Sequence, residues 1–169
     1  MNKISLLRGE IVLKPALLYK DIILTKFTEL LYTEDYYFYM GYDCGTRLPD
    51  LQSEEGTYSY AFVDNNDQVI GFLTYQIYTT TDTVHNFGLI SFDKGNPLVG
   101  RDLFKKLKEL VNQHHKVEWC VVDGNPVKKH YDKFCKEHNG YIHHFHDTGR
   151  DLNGNLVDSY SYEIINDKR

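Results

Sequence analysis

The tripeptide Gly-Asn-Pro occurs twice, at residues 95–97 and 124–126, and each time it joins an apolar run to an amphipathic one. Glycine breaks the strand before it, the asparagine side chain caps the helix after it, and proline fits the first helical position, where no N–H is needed. In the second copy the strand is Trp119 to Val122, and Val127, Tyr131, Phe134, Cys135 and His138 recur at helical spacing before Asn139-Gly140 supplies a left-handed stop. In the first copy the strand is Val84 to Phe92, and Val99, Leu103, Leu107, Leu110 and Val111 make one apolar stripe. Two strand–turn–helix units of this kind place two helix N-termini at strand ends, where each offers backbone N–H groups to an anion. Tyr131 lies less than two turns into the second helix, so its hydroxyl faces whatever binds there.

Around these units the hydrophobic pattern orders the rest of the chain. Ile11 to Leu13 is a short strand stopped at Pro15, and Ala16 to Leu31 is helical in period. Tyr32 to Tyr42 is a helix or a loop, and Arg47 to Gly56 a polar connection. From Tyr58 the period changes to two: Tyr58, Tyr60 and Phe62 alternate with smaller residues, Asp64 to Asp67 turns, and Val69 to Tyr78 returns. Tyr141 to His146 and Leu156 to Ile165 form a last hairpin about Asn153-Gly154. The order β-α-α-β-β-β-α-β-α-β-β predicts an α+β fold, a mixed and mostly antiparallel sheet of six or seven strands with helices on both faces. No repeat or linker divides residues 1–169, so a single domain is expected.

A net charge of −5 argues against a nucleic-acid-coating role. Cys44, Cys120 and Cys135 show no pairing pattern, which points to a reducing, cytoplasmic compartment. No apolar run reaches membrane-spanning length, and none near the N-terminus has the form of a signal core, so no membrane partner is expected. A homodimer is left open. The fourteen tyrosines suit either a core or a pocket for an amphipathic ligand.

Strand, Asn-Pro, helix with a tyrosine, then Gly-Tyr resembles the second acyl-CoA-binding motif of the GNAT superfamily of acyl-CoA-dependent N-acetyltransferases, and the element order is similar to that superfamily from about residue 58 to 165. Tyr131 falls one residue earlier than in the commonest version. The superfamily's Arg/Gln-x-x-Gly-x-Gly/Ala loop lies over residues 95–100, where only Gly100 matches; Gly95 and Leu98 stand in place of the usual Arg or Gln and the first glycine. The resemblance implies an acyl-CoA held in a gap between residues 84–92 and 117–122. Leu89, Ile90 and Phe92 would line the strand side, Asn96, Leu98, Val99, Gly100 and Arg101 the loop and helix start, and Asn125 and Tyr131 the second unit. It implies acetyl transfer from acetyl-CoA, as co-substrate and without a metal, to a primary amine by direct attack.

That chemistry needs a positioned thioester, a neutral amine and a proton for the leaving thiolate. Tyr131 is the expected acid. No carboxylate lies on residues 84–92, so His85 is the expected base, with Asp123, Glu118 or a water relay as alternatives. Cys120, with no His-acid partner in view, is expected to be a buried core thiol. His143, His144 and His146 invite a metal, but no third ligand joins the two that share a face, and polar strand positions are expected there. Two readings stand beside the enzyme: a non-catalytic acyl-CoA-binding or regulatory module, and an unrelated α+β interaction protein that binds no CoA.

Overall fold

A computed structural model describes residues 11–31, 51, 55–151 and 153–166. The segment Tyr32 to Tyr42 and Cys44 lie outside the described residues. Seven strands form one sheet: β1 (Val12–Pro15), β2 (Thr57–Val63), β3 (Val69–Tyr78), β4 (Thr83–Ser91), β5 (Lys116–Val122), β6 (Tyr141–Arg150) and β7 (Leu156–Ile165), in the spatial order β1-β2-β3-β4-β5-β7-β6. Every neighbouring pair is antiparallel except β4 and β5. The helices are α1 (Lys20–Leu31), α2 (Pro97–Gln113) and α3 (Lys128–Glu137). The expected α+β sheet is present at seven strands. A 3-10 turn, Ala16–Tyr19, stands where an unbroken helix from Ala16 was expected.

Strand alternation sorts the core onto two faces. Phe62 and Leu73 point one way, into a cluster with Val99, Leu103, Leu107 and Leu110 of α2 and Tyr131 and Phe134 of α3. Their neighbours Ala61, Val63 and Phe72 point the other way, onto Ile23 and Phe27 of α1. Phe27 meets Phe72 edge-on at 5.4 Å and Phe92 at 5.8 Å. Helices therefore cover both faces, and Phe92 belongs to the α1 layer.

One correction concerns the second Gly-Asn-Pro unit. The α3 helix starts at Lys128, two residues beyond Pro126, and its N-cap is Val127, with no side-chain cap bond; Asn125 instead closes the turn before it, its Oδ1 accepting from Val127 N at 3.1 Å and its carbonyl from Lys128 N. At the far end the left-handed stop expected of Asn139-Gly140 is present, and Asn139 takes it (φ 54°). Glycine is required at 140 for space. A Cβ there would stand 2.6 Å from Cys135 Sγ, 2.6 Å from the Glu163 carbonyl oxygen and 2.7 Å from Ile164 Cγ1. Gly140→Ala is expected to cost about 1–3 kcal/mol by overpacking where α3 meets β7, read as a lower midpoint in urea denaturation with an unchanged slope.

Candidate functional site: a cleft where the sheet splits

The strands β4 and β5 start side by side and then part. Thr83 pairs with Lys116, Val84 with Val117 and Phe87 with Trp119, and no β4–β5 pair follows. The cause is a bulge in β4. Asn86 takes a left-handed backbone (φ 52°), a conformation asparagine tolerates better than most residues. The β3–β4 register slips at the same place, between Thr74 and Gln76. Asn86 Nδ2 donates to Gln76 Oε1 at 2.9 Å, holding the bulge. Beyond it β4 stays with β3 through Gly88 to Ser91, while β5 stays with β7 through Cys120 to Val122.

The gap is a cleft of about 490 Å³, within the ~300–1,000 Å³ range of small-molecule sites. Its β4 wall is Asn86 to Ser91, its β5 wall Cys120 and Val121, and its far wall Asn125, Pro126, Val127 and Tyr131. At its mouth sit Lys94, Gly95 and Asn96, followed by Val99, Gly100 and Leu103 of α2. Both Gly-Asn-Pro turns thus open onto one space. In the first, Gly95 has φ 82° and Asn96 Oδ1 accepts from Leu98 N at 2.9 Å. With no N–H on Pro97 and that of Leu98 engaged, the donors left to the first turn of α2 begin at Val99. A Cβ at Gly100 would meet no protein atom within 4 Å, so the space beside it belongs to the cleft.

Of the residues expected to hold the ligand, Leu89, Ile90, Asn96, Val99, Gly100, Asn125 and Tyr131 line the cleft. Leu98, Phe92 and Arg101 do not. Leu98 sits on the Asn96 cap, Phe92 packs against Phe27, and Arg101 pairs twice with Asp102, at 2.9 and 3.0 Å. His85 also stands outside the lining. It hydrogen-bonds Glu118 and lies 4.3 Å from the Tyr78 ring, and Glu118 in turn meets Lys116 at 3.1 Å. Cys120 corrects the expectation of a buried core thiol: it is half-buried and lines the cleft. The signal for it was positional, since it stands next to the last β4–β5 pair, but that requires knowing where the strands part.

Tyr131 is held from several sides. Trp119 lies edge-on at 5.7 Å, Phe104 at 5.5 Å and Tyr162 tilted at 5.7 Å, while Trp119 and Tyr162 stack at 5.2 Å. Burial, then the neighbouring Cys120 thiol, pushes the Tyr131 phenol above the ordinary tyrosine range. The hydroxyl is therefore neutral at physiological pH and offers a hydrogen. Tyr162 donates to Asp132 Oδ1 at 2.8 Å, and Lys128 Nζ reaches Asp132 Oδ2 at 3.1 Å, so α3 is tied to β7 beneath the cleft.

No family model matches the sequence, and no curated protein matches it. Solved structures do match the fold. A GCN5-related N-acetyltransferase from Kribbella flavida aligns over 94% of this chain and 98% of its own, with a TM-score of 0.66 and 13% identity. The spermidine/spermine N-acetyltransferase SpeG from Vibrio cholerae aligns over 93% and 91%, with a TM-score of 0.55 and 16% identity. A chimera of the Vibrio spermidine N-acetyltransferase aligns over 66% and 68%, with a TM-score of 0.53 and 18% identity. The chain has the GNAT fold. In this chain residues 95–100 read GNPLVG and β4 carries no carboxylate. Among the described residues no helix is long and apolar enough to cross a membrane.

The support under Tyr131 is measurable. Tyr162→Phe keeps the stack on Trp119 and removes the bond to Asp132; a loss of about 1 kcal/mol is expected, measured by chemical denaturation.

Proposed function

We propose that this GNAT-fold chain transfers an acetyl group from acetyl-CoA to a primary amine by direct attack. The observation that carries the reading is the split sheet: a narrow, mostly apolar cleft with a helix N-terminus at its mouth and a neutral phenol on its wall. The pantetheine arm, a thin chain with two amides, fits a gap bounded by two strand edges that lack their own ladder partners. The diphosphate suits the first turn of α2, whose N–H groups and positive dipole end favour an anion. Lys94 stands beside that turn.

In this reading the amine nitrogen attacks the thioester carbon, the carbonyl electrons move onto oxygen, and collapse expels the CoA thiolate. Tyr131 donates a hydrogen bond to the departing sulfur. Its upward pKa shift disfavours outright ionisation and favours this neutral donor role. The proton of the attacking nitrogen leaves through water toward the His85–Glu118 pair, next to the Asn86 bulge. Direct attack makes Cys120 a wall residue with no acyl intermediate.

A second reading, a non-catalytic acyl-CoA-binding module, is favoured by two details. Leu98 N–H is engaged by Asn96, and Arg101 is engaged by Asp102, so the grip on phosphate is lean. Spermidine belongs in the acceptor panel because two of the structural neighbours described above are spermidine acetyltransferases.

Two experiments test these readings. Acetyl-CoA at ~100 times its dissociation constant is expected to stabilise the fold by about 2.7 kcal/mol, and Gly100→Val, which has room in the fold, is expected to weaken that binding in calorimetric titration. The absence of any thermal shift with millimolar acetyl-CoA sinks both readings. Tyr131→Phe is expected to lower turnover by roughly 10²-fold with little change in acetyl-CoA affinity. Wild-type turnover in that variant removes Tyr131 from the chemistry. Tight binding with no acetylation of any amine in the panel selects the binding module.

A further inference from the structure

The terminal hairpin carries a cluster that the acetyltransferase reading does not use. His144 and His146 alternate along β6 and so project from one face. The sequence alone shows no third group beside them; the β6–β7 register supplies it. His144 pairs with Tyr160 and Phe145 with Ser159, so the next position across from His146 is Asp158 of β7. One ligating atom from each of His144, His146 and Asp158 lies within 4.8 Å of the others. Among the described residues this is the one such group of three.

The surroundings aim these side chains at a common point. Asp158 Oδ1 accepts from the backbone N–H of Asp147 at 3.1 Å, which orients the carboxylate and leaves Oδ2 toward the imidazoles. Asp147 has φ 54°, and the β6–β7 register slips between Phe145 and Gly149, so the strand turns aside just after His146. The His144 ring stacks on Tyr160 at 4.8 Å and 4°, and Lys128 Nζ sits 3.9 Å from the centre of that same tyrosine ring. Partners that fix ring and carboxylate orientation are what a metal ligand set requires.

We infer that His144, His146 and Asp158 form a surface site for a divalent transition cation of the zinc class. Two imidazoles and one carboxylate match borderline cations such as Zn²⁺, whereas Mg²⁺ and Ca²⁺ prefer all-oxygen sets. Bonds of about 2.0–2.1 Å in tetrahedral geometry put ligand atoms roughly 3.3 Å apart. His146 Nδ1 and Asp158 Oδ2 are 3.4 Å apart and already meet this spacing. His144 Nε2 lies 2.5 Å from the same oxygen, in a hydrogen bond. Binding replaces that shared proton with the metal and opens the pair by under an ångström, a movement within reach of a side chain on the exposed edge strand. Water completes the fourth position.

Occupancy would fasten β6 to β7 beside the cleft. The Asp158 carbonyl accepts from Asp123 N at 2.8 Å, and Asp123 leads directly into the Gly124-Asn125 turn that forms the cleft wall.

The test is calorimetric titration of the full chain with ZnCl₂ at neutral pH, with Co²⁺ absorption as a second readout of imidazole ligation. One zinc per chain is expected, with no heat from MgCl₂. His146→Ala, a change at a side chain 79% exposed and therefore compatible with folding, is expected to weaken zinc binding at least about tenfold. Asp158→Asn is expected to weaken it similarly. His143→Ala, on the opposite face of β6, is expected to leave affinity and stoichiometry unchanged. No stoichiometric zinc binding, or binding that survives His146→Ala, or binding lost equally in His143→Ala, overturns the assignment.

Discussion

Everything that distinguishes this sheet from a closed seven-stranded one follows from the bulge at Asn86. Parallel neighbours that begin in register normally continue so, because each added residue contributes its ladder bonds. Here the left-handed Asn86 breaks the register, one more pair forms between Phe87 and Trp119, and from Gly88 on β4 no longer pairs with β5. The strands remain anchored on their outer sides, β4 to β3 and β5 to β7, so the split does not propagate into unfolding. The cleft is thus a backbone feature first. Side chains furnish it, but its place and width are decided by where the β4–β5 ladder stops.

The second determinant is the aromatic group behind β5. Trp119, Tyr131, Tyr162, Phe104 and Phe134 contact one another through edge-on, tilted and stacked rings. Such rings have few torsions and large contact areas, so together they fix the orientation of Tyr131 more firmly than aliphatic neighbours would. The Tyr162–Asp132–Lys128 chain adds a directional tie between β7 and α3. Tyr131 on the cleft wall therefore stands on a rigid base.

The order of elements was legible because hydrophobic period and the two Gly-Asn-Pro turns are local signals. The α2 stripe, the Asn96 cap and the place of Tyr131 on the cleft needed nothing beyond local sequence signals. What escaped sequence reading depended on contacts distant in the chain. Cys120 looked like a core thiol because no His-acid partner stands near it in the sequence; only the parting of β4 opens its side. Phe92 and Leu89 looked equivalent on the strand, yet alternation sends Phe92 to Phe27 of α1. Asp158 joins two histidines through a strand register that no spacing in the sequence announces. The left-handed stop at Asn139-Gly140 was legible, but the reason for glycine at 140 was not: α3, β6 and β7 converge on it.

The split also changes how many edges the sheet has. An ordinary open sheet exposes two, here β1 and β6. Parting β4 from β5 creates two more in the interior of the molecule, each a row of backbone donors and acceptors of the sort that invites pairing with another chain. Such edges are commonly guarded by bulges and charge, and both devices recur here: the Asn86 bulge on one side and Lys94 beside the cleft. A binding cleft made by withholding a ladder is thereby also an aggregation hazard kept indoors. The residues that guard it are constrained by solubility as much as by any ligand.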